Sequence, residues 1–391
     1  MIVAGVMSGT SADGIDVAIV LIRGRGRNLH FRPLAHEHFP YPRAVRQAIL
    51  AAMNAASARV ADLARLNFLL GECYADAVDA TRKRHRAKLE LIGCHGQTLY
   101  HQGEAASFLG QSIATTWQTG EASVIAARTG VPVISDFRPA DMAAGGAGAP
   151  LVPLLDIAFY SHYKKLRVLQ NIGGIANLTI LPPRTSLAAM ERVIAFDTGP
   201  GNMVIDACAQ ELFNRPYDES GKIASNGTVI ESALKRALQH PFFRSKPPKT
   251  AGREQFGREF TTQFLKWCGS GSKKPDVLAT ATALTAVSIG QALRQALTTA
   301  KLKPSFARGK AEYVVSGGGS RNRTLMQMIS EQVESLGLRV RTSDDLGMPS
   351  QAKEAVAFAL LAYQTWHRLP GNVPRATGAS RPAVLGKISY P

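Results

Sequence analysis

Four short stretches of this sequence combine glycine with hydroxyl, amide or carboxylate side chains and follow apolar, strand-like runs. They are SGTSADGID (8–16), NIGGIAN (171–177), FDTGPGN (196–202) and SGGGSRN (316–322). Backbone N–H groups in glycine-rich turns can bind phosphate, because the missing side chain permits a close approach. The first hypothesis is therefore a ligand that contains phosphate.

The first stretch also carries two carboxylates, Asp13 and Asp16, which would repel a phosphate unless a cation lies between them. Magnesium commonly combines one or two carboxylates with phosphate oxygens and would resolve this conflict. Asp13 lies within the turn and Asp16 on the outgoing strand, so either could face the ligand. We favour Asp13 as the metal ligand, with Asp16 as the alternative. An ordinary polar hairpin turn would also explain the stretch.

Asp197, within FDTGPGN, directly follows a strand-like run and is surrounded by small residues. A carboxylate there can orient or deprotonate a nucleophile if it lies within hydrogen-bond reach of the proton. The alternative is an aspartate that stabilises its own turn. The glycines of NIGGIAN and SGGGSRN could likewise serve only a hairpin turn and a tight strand-to-helix turn.

Strand-like and helical patterns alternate along the chain, which predicts an α/β fold. Two expected hairpins of similar design, within 2–22 and 167–181, suggest two copies of one α/β unit. Other expected elements are helices near 43–54, 60–85, 278–297 and 349–369, a strand at 131–135, and a strand from 89 that enters a polar turn by 101. The Gly/Ala-rich segment 143–150 is the best candidate for a domain junction.

Composition narrows the possible classes of protein. The 391 residues are 45% apolar and carry a formal net charge of +17, which favours anionic partners such as nucleotide phosphates or a carboxylated sugar. The densest basic cluster, 81–88, has the pattern of a helix end, and no nucleic-acid-binding motif accompanies it. The four cysteines are far apart and lack a CxxC pattern. With no signal-peptide pattern and no apolar run of about 18 to 20 residues, we expect a reduced, cytoplasmic protein without nucleic-acid or membrane partners.

Eight motifs occur in an order that resembles the anhydro-N-acetylmuramic acid kinase family. They are MSGTSADGID, GCHGQT, SDFRPADMAAGG, QNIGGIANLT, FDTGPGN, KTAGREQFG, SGGGSRN and QAKEAVAFA. Each motif is weak by itself, whereas eight in order are highly specific. The family belongs to the actin, hexokinase and heat-shock-70 ATPase superfamily. The resemblance therefore implies an α/β fold with two related domains of actin/hexokinase-like ATPase type and an active site in the interdomain cleft.

The resemblance also implies how the chain is divided between the two domains. Residues 1–142 and 355–391 would form the N-terminal domain, with the first phosphate hairpin, part of the sugar site and a returning helix. Residues 143–354 would form the C-terminal domain, with the second phosphate hairpin, Asp197 and an adenosine loop. The family further suggests a homodimer.

An enzyme of this family opens the 1,6-anhydro bond of its sugar with water at C1 and transfers the γ-phosphoryl group of ATP to O6. Mg²⁺ assists, and the product, N-acetylmuramic acid 6-phosphate, belongs to peptidoglycan recycling. By resemblance, Asp197 matches the general base. The positions that match sugar contacts are His95, Gly96, Gln97, Thr98, Arg138 and Glu354. The positions that match ATP contacts are Gly9, Thr10, Ser11, Ala12, Asp13, Gly14, Ile15, Asp16, Asn171, Gly173, Gly174, Gly317, Gly318 and Gly319.

Three of these side chains also have purely structural interpretations. His95 could be a hydrogen-bonded histidine at a strand end. Arg138 could form an ion pair with Asp136 or Asp141. Glu354 could favour the first turn of a helix that begins behind Ser350 as N-cap. Two other functions also fit the resemblance: another sugar kinase of the same fold, or a non-catalytic ATPase-fold switch protein.

Overall fold

The computed structural model describes most of the chain, and the described residues fall into two compact units. The described stretches are 1–26, 29–53, 55–183, 193–247, 249–302 and 311–391. Unit 1 consists of Met1–Ala158 and Ala352–Pro391, and unit 2 consists of Phe159–Gln351. Each unit combines helices with a mixed sheet, which confirms the predicted α/β class.

Unit 1 takes its strands and helices from both ends of the chain. Its strands are β1 (Ile2–Ser8), β2 (Gly14–Arg23), β3 (His30–Pro40), β4 (Leu91–Phe108), β5 (Gln111–Thr119), β6 (Val133–Ser135) and β12 (Lys387–Ser389). Its helices are α1 (Arg43–Ala52), α2 (Val60–Arg84), α3 (Ala122–Thr129), α4 (Phe137–Ala143), α13 (Lys353–Trp366) and α14 (Pro374–Thr377), together with most of α5 (Pro153–Tyr160).

Unit 2 lies between these two segments in sequence. Its strands are β7 (Leu166–Ile172), β8 (Ala176–Leu181), β9 (Ile194–Gly199), β10 (Ala311–Ser316) and β11 (Arg339–Thr342). Its helices are α6 (Met203–Phe213), α7 (Glu231–Ala237), α8 (Pro241–Arg244), α9 (Arg253–Phe256), α10 (Arg258–Cys268), α11 (Lys274–Thr299) and α12 (Arg323–Glu334). Short 3₁₀ turns cover Glu219–Gly221, Ala224–Asn226, Gly318–Arg321 and Asp344–Leu346.

The two sheets share one strand order. In unit 1 the order β3-β2-β1-β4-β6 has β2 antiparallel to both neighbours, while β4 is parallel to β1 and β6. In unit 2 the order β9-β8-β7-β10-β11 repeats this arrangement, with β8 as the antiparallel strand. The two glycine-rich hairpins thus connect equivalent strands of two copies of one α/β unit, as the sequence predicted.

Two glycines on adjacent strands determine where α13 packs. A Cβ atom on Gly5 of β1 would overlap the carbonyl oxygen of Ala355, and one on Gly93 of β4 would overlap that of Phe358. Because neither strand has a side chain at these points, α13 lies directly against the sheet of unit 1. This contact places the first turn of α13 beside β1 and its second turn beside the start of β4.

Helix α11 is the central core helix of unit 2. By length and composition alone this helix could cross a membrane, but 83% of its most apolar window is buried inside the protein. Its side chains join the core cluster of unit 2 together with strands β7 and β10. This burial is what a core helix of an α/β unit shows.

Two local predictions differ from the structure. The polar turn expected before His101 does not form, because β4 continues to Phe108 and pairs with β5 as a long hairpin. The N-cap of α13 is Ala352, without a side-chain cap bond, rather than Ser350. Helices α1 and α2 lie where they were expected, and α2 ends within the basic cluster at Arg84.

The boundary between the units also lies elsewhere than the sequence suggested. The Gly/Ala-rich segment 143–150 stays in unit 1, because Ala147 N donates to Thr377 O (2.7 Å) and Ser380 N donates to Ala144 O (2.8 Å). The chain enters unit 2 within α5 and returns just before α13. Glu354 therefore belongs to unit 1 and not, as predicted, to the other domain.

Candidate active site

The turn between β1 and β2 directs its backbone carbonyl groups into the protein. Three carbonyl oxygens accept hydrogen bonds from the side of the core: Gly9 O from Gln97 Nε2 (3.2 Å), Ala12 O from Arg46 Nε (3.1 Å) and Asp13 O from Tyr41 N (3.2 Å). A fourth, Gly14 O, lies 3.1 Å from Ser8 Oγ. Of the N–H groups of residues 9–13, only that of Ala12 donates to a protein group within the described residues. The other N–H groups of this turn are available to an anion.

The predicted ATP-binding residues of this turn differ in what they can offer a ligand. A Cβ atom on Gly9 would have its nearest neighbour, Ser11 Oγ, at 3.7 Å. Protein packing therefore does not require glycine at this position. Ala12 is buried and has a left-handed φ of 50°, which makes it a strained point of the turn. Thr10 is exposed, whereas Ile15 is buried in the core of unit 1 and can reach a ligand only through its backbone.

The two carboxylates of the first stretch have different surroundings. Asp13 is exposed, and its Oδ1 accepts a hydrogen bond from Ser11 Oγ at 2.7 Å. Asp16 Oδ1 is held by His36 Nε2 at 2.9 Å and by His38 Nδ1 at 3.1 Å. Within the described residues, no group of three or more His, Cys, Asp and Glu side chains is arranged to hold a metal ion. Any cation here would therefore need ligands from the bound substrate.

His95 lies on β4 with both ring nitrogens engaged by the protein. Its Nδ1 lies 2.8 Å from Gly96 O, an acceptor, so this nitrogen carries the proton. Its Nε2 accepts from Arg138 Nε (3.1 Å) and Arg138 Nη2 (2.9 Å). Burial, and then the nearby Arg138 charge, hold the pKa of His95 well below its usual value. A neutral His95 therefore orients Arg138, and its ring has no free nitrogen for a sugar.

Arg138, in the first turn of α4, also donates Nη1 to Gly148 O at 2.8 Å. Neither Asp136 nor Asp141 makes the direct ion pair that the sequence allowed, because Asp136 pairs with Lys387 and Asp141 accepts from Gly148 N. Burial lowers the pKa of Arg138 to about 10, which still leaves it charged at neutral pH. Two of its five N–H groups are left for other acceptors.

Glu354 and Asp141 are the two acidic groups whose charges favour the charged form of Arg138. Glu354 occupies the first turn of α13, where its side chain remains accessible to solvent. Partial desolvation of its carboxyl group by the surrounding protein raises the pKa of Glu354, while Arg138 lowers it and Asp16 raises it. The structure thus gathers His95, Arg138, Glu354 and Asp16 on the α13 side of the sheet of unit 1.

The remaining predicted sugar residues are placed in two ways. Gln97 is fully buried, and its side chain contacts the β1–β2 turn. Thr98 is partly exposed, and its Oγ1 accepts from Gln118 Nε2 at 3.2 Å. Gly96 has a φ of 76°, which favours glycine, and lies with His95 on the wall of a cavity of about 460 Å³ in unit 1. This cavity also includes Trp117 and the Asp136–Lys387 ion pair.

The second glycine-rich hairpin, between β7 and β8, resembles the first in how it is held. Gly173 O accepts from Asn202 N (2.8 Å), Gly174 O from Met203 N (3.0 Å), and Ile172 O from Asn202 Nδ2 (3.3 Å). Neither Gly173 nor Gly174 has a described atom within 3.5 Å of where a Cβ atom would be. Space is therefore open above these two glycines, as a phosphate would require.

Of the three glycines after β10, two are required by close packing and one faces open space. A Cβ atom on Gly317 would lie 2.6 Å from Ile172 O, and one on Gly319 would overlap the Ile172 side chain. A Cβ atom on Gly318 would have its nearest neighbour, Asn202 Nδ2, at 3.8 Å. Asn171, from the second hairpin, accepts a hydrogen bond from Ser316 Oγ at 3.3 Å. The triple-glycine loop and the second glycine-rich hairpin thus meet at Asn202 and Ile172.

Asp197 lies near the end of β9, with one carboxylate oxygen fixed. Its Oδ2 accepts from Ala251 N at 2.8 Å, and its own N–H donates to Lys249 O at 3.0 Å. Burial raises the pKa of Asp197 to about 6, with Glu254 raising it further and the Ala251 N–H and Lys249 opposing the shift. Its Oδ1 accepts no hydrogen bond from the described residues, and a carboxylate of this pKa is suited to accept a proton near neutral pH.

Sequence reasoning missed three features of this site. Asn202 ends the motif FDTGPGN, but the motif alone does not indicate that its side chain reaches Ile172 O. The segment 249–254, within the motif KTAGREQFG, fixes Asp197 although it was given no function. Gln170 and its contacts beneath the second hairpin were not considered. The motifs themselves were the available signal for Asn202 and 249–254, whereas the partners of Gln170 depend on the three-dimensional structure.

The duplicated sheet order defines the class of this protein. Each unit has the same five-strand core, and a glycine-rich hairpin with inward-facing carbonyl groups connects its first two strands. This is an actin/hexokinase-like ATPase fold, as the sequence predicted.

Comparison with known proteins identifies the particular family. Residues 1–391 match the model of the anhydro-N-acetylmuramic acid kinase family. The chain is 46% identical over 394 aligned residues to the anhydro-N-acetylmuramic acid kinase of Bacillus cereus strain G9842, with 100% of both chains covered. It is 43% identical to the enzyme of Bacillus thuringiensis subsp. konkukian, again with full coverage. The chain therefore belongs to the anhydro-N-acetylmuramic acid kinase family.

The similarity to one solved structure is distant. A glucokinase of the ROK family from Streptomyces griseus, in complex with glucose and AMPPNP, is 12% identical, with a TM-score of 0.39 and coverage of 93% of this chain and 100% of that chain. Similarity at this level adds no argument about function.

Proposed function

We propose that this protein is an ATP-dependent kinase that opens 1,6-anhydro-N-acetylmuramic acid with water and phosphorylates O6. The products are N-acetylmuramic acid 6-phosphate and ADP, and the reaction belongs to peptidoglycan recycling in the cytoplasm. The full-length family match carries this proposal. The environment of Asp197 supports it, because a half-anchored carboxylate with a pKa of about 6 suits the activation of water.

In the proposed reaction, Asp197 Oδ1 takes a proton from the water that attacks C1. The C1–O6 bond breaks, and its electron pair stays on O6. O6 then attacks the γ-phosphorus, and ADP leaves with the bridging oxygen. Phosphoryl transfer depends mainly on alignment and on stabilisation of charge, so the open N–H groups of the two hairpins supply most of what the protein contributes to that step.

For the sugar, Arg138 is the proposed anion-binding residue. Its two remaining N–H groups can engage a carboxylate such as that of the lactyl substituent. Glu354, beside it, can accept hydrogen bonds from sugar hydroxyl groups. Gly96 and Thr98 would contribute through backbone and hydroxyl groups. His95 keeps its role as the residue that orients Arg138.

For magnesium, the donor set fits a site completed by phosphate oxygens. Asp13 is the proposed ligand, because it is exposed and its Oδ2 is free of the Ser11 contact. Asp16 is the less suitable alternative, because two histidines hold its Oδ1. When bound, the ion would reduce the negative charge of the phosphates.

We also propose a homodimer that forms through the long β4–β5 hairpin. One face of this hairpin exposes Tyr100, Phe108, Ile113 and Trp117, with Tyr100 directly opposite Trp117. A two-stranded hairpin is marginally stable unless a neighbour covers it. Glu104 is the single Asp, Glu, Lys or Arg between 98 and 119, so two copies of this +17 chain could meet here with little repulsion.

Sedimentation of Trp117→Ser should show a monomer where the wild type is a dimer, and an unchanged sedimentation coefficient would contradict this interface.

The activity itself is tested by ADP release with different sugars. Purified protein, ATP and Mg²⁺ are incubated with anhydro-N-acetylmuramic acid, N-acetylmuramic acid or glucose. ADP release with the anhydro sugar in clear preference supports the proposal. A preference for glucose would indicate another sugar kinase of this fold, and ATP binding without transfer to any sugar would indicate a switch protein.

A further inference from the structure

Each glycine-rich hairpin rests on a fully buried glutamine. Gln97 and Gln170 both have 0% of their surface exposed, although glutamine is normally a surface residue. Gln97 lies on β4 beneath the β1–β2 turn, and Gln170 lies on β7 beneath the β7–β8 turn. Burial of an amide is costly unless its N–H and C=O groups are satisfied, so their partners indicate what these residues do.

Beneath the first hairpin, Gln97 contacts two consecutive residues at the start of the turn. Its Nε2 donates to Gly9 O at 3.2 Å, and its Oε1 lies 2.7 Å from the hydroxyl of Ser8. Tyr41 Oη lies 2.9 Å from Ser8 Oγ and 3.2 Å from Tyr74 Oη, and both tyrosines are buried. Ser8 Oγ also lies 3.1 Å from Gly14 O. The network therefore reaches both ends of the turn.

Beneath the second hairpin, Gln170 makes an equivalent set of contacts. Its Nε2 donates to Asn177 O at 2.9 Å and lies 3.4 Å from Asn171 O, so it reaches the residues on either side of the glycine turn. Its Oε1 accepts from the buried hydroxyl of Tyr313 at 3.1 Å, as that of Gln97 accepts from a buried hydroxyl. The two α/β units thus share one arrangement, in which a glutamine amide lies under the turn and a tyrosine lies behind it.

We propose that Gln97 and Gln170 are positioning residues for the nucleotide phosphates. They hold hairpin carbonyl groups toward the core and so keep the N–H groups turned outward. This assignment rests on the proposed function for its ligand, and it replaces the sugar contact that the sequence suggested for Gln97. Without the amide, Gly9 O or Asn177 O would lose this hydrogen bond in a partly buried position, and the turn would reorient to reach water.

The test measures nucleotide and sugar affinities separately in Gln97→Met and Gln170→Met. Methionine keeps the volume and removes the hydrogen bonds. We expect the Kd of a non-hydrolysable ATP analogue, measured by calorimetry, and the KM for ATP to rise about tenfold or more, in line with the loss of a buried hydrogen bond. The KM for the anhydro sugar should change less than about twofold. The matched control is Gln364→Met, at a buried glutamine of α13 whose side chain makes no hydrogen bond to either hairpin within the described residues. This variant should bind the analogue as the wild type does.

Two further variants keep the proposal falsifiable if the methionine variants fold poorly. Tyr41→Phe and Tyr313→Phe remove one hydroxyl each and should give smaller rises in the Kd of the analogue. In Gln97→Glu, only the protonated carboxyl can donate to Gly9 O, so affinity should recover as the pH is lowered. A higher KM for the sugar with unchanged analogue binding would overturn the assignment and restore Gln97 as a sugar ligand. Failure of the wild-type protein to bind the analogue would instead refute the proposed function.

Discussion

Replacement of Asp197 by asparagine should remove activity and raise stability in the same molecule. Asparagine has the same shape and can still accept the Ala251 N–H, so the site keeps its geometry. It cannot take a proton from water, and the loss of a general base typically costs about 10²- to 10⁴-fold in rate. Binding of an ATP analogue should be unchanged, because the described hydrogen bond of the Asp197 carboxylate is with Ala251 N and not with a glycine of either hairpin.

The stability gain follows from the raised pKa of Asp197. Its pKa in the folded protein is about 6, against an ordinary value of 3.8. The folded state therefore binds this proton more tightly than the unfolded state, and its stability falls as pH rises through this interval. Above pH 6 the cost approaches about 3 kcal/mol, and near pH 4 it is below about 1 kcal/mol. The Asp197→Asn variant should not show this loss of stability, because asparagine does not ionise.

The assay is a pair of thermal melts at pH 7.5 and pH 4, together with turnover at each pH. We expect Asp197→Asn to melt several degrees above the wild type at pH 7.5 and close to it at pH 4. In the wild type, kcat/KM should fall as pH is lowered through about 6, because Asp197 becomes protonated. Asp206→Asn is the matched control, since burial raises the pKa of Asp206 to about 7 in the same unit. It should gain stability and keep its turnover.

Two results would refute this reasoning. Normal turnover in Asp197→Asn would remove the aspartate from the reaction. Lost turnover with a lower melting temperature at pH 7.5 would show that the carboxylate is needed for the fold, and the proposed pKa shift would then have no role.

Three other predictions concern the glycine loops and the arginine. Gly174→Ala should fold with unchanged stability, because the nearest described atom to its Cβ is 3.7 Å away, but should weaken analogue binding in calorimetry. Gly319→Ala should lower the free energy of unfolding by about 1 to 3 kcal/mol in urea titrations, because its Cβ would overlap Ile172. Arg138→Lys and His95→Phe should each raise the KM for the sugar about tenfold without changing the affinity for ATP. Both variants lose the guanidinium group in its oriented position. An equal rise in the KM for ATP would contradict this prediction.

Much of the fold could be predicted because its signals are local. The two hairpins show as apolar runs on either side of glycine, and helix α11 shows as a long apolar segment. The continuation of β4 to Phe108 was missed, because its exposed residues lack the apolar character of a buried strand and depend on pairing with β5. The unit boundary was missed because the hydrogen bonds of Ala147 and Ser380 join segments far apart in sequence.

The candidate site could be predicted as a set of residues but not as a set of contacts. Motif resemblance selected His95, Gln97 and Arg138, which do lie in unit 1 beside one another or beside the first hairpin. It could not show that His95 has both nitrogens engaged or that Gln97 points toward Gly9. These orientations depend on which face of β4 each side chain occupies and on partners such as Ser8, and a single sequence carries neither piece of information.

The central claim is that hydrolysis of the anhydro bond and phosphoryl transfer are one reaction. The most direct measurement is mass spectrometry of the sugar product after incubation with ATP, Mg²⁺ and the anhydro sugar in ¹⁸O-labelled water. The account predicts one labelled oxygen at C1, an unlabelled phosphate on O6 and one ADP for each product molecule. N-acetylmuramic acid 6-phosphate kept in the same water for the same time serves as the control for exchange at C1. A phosphorylated sugar that retains its anhydro bond, or product without label at C1, would contradict the account.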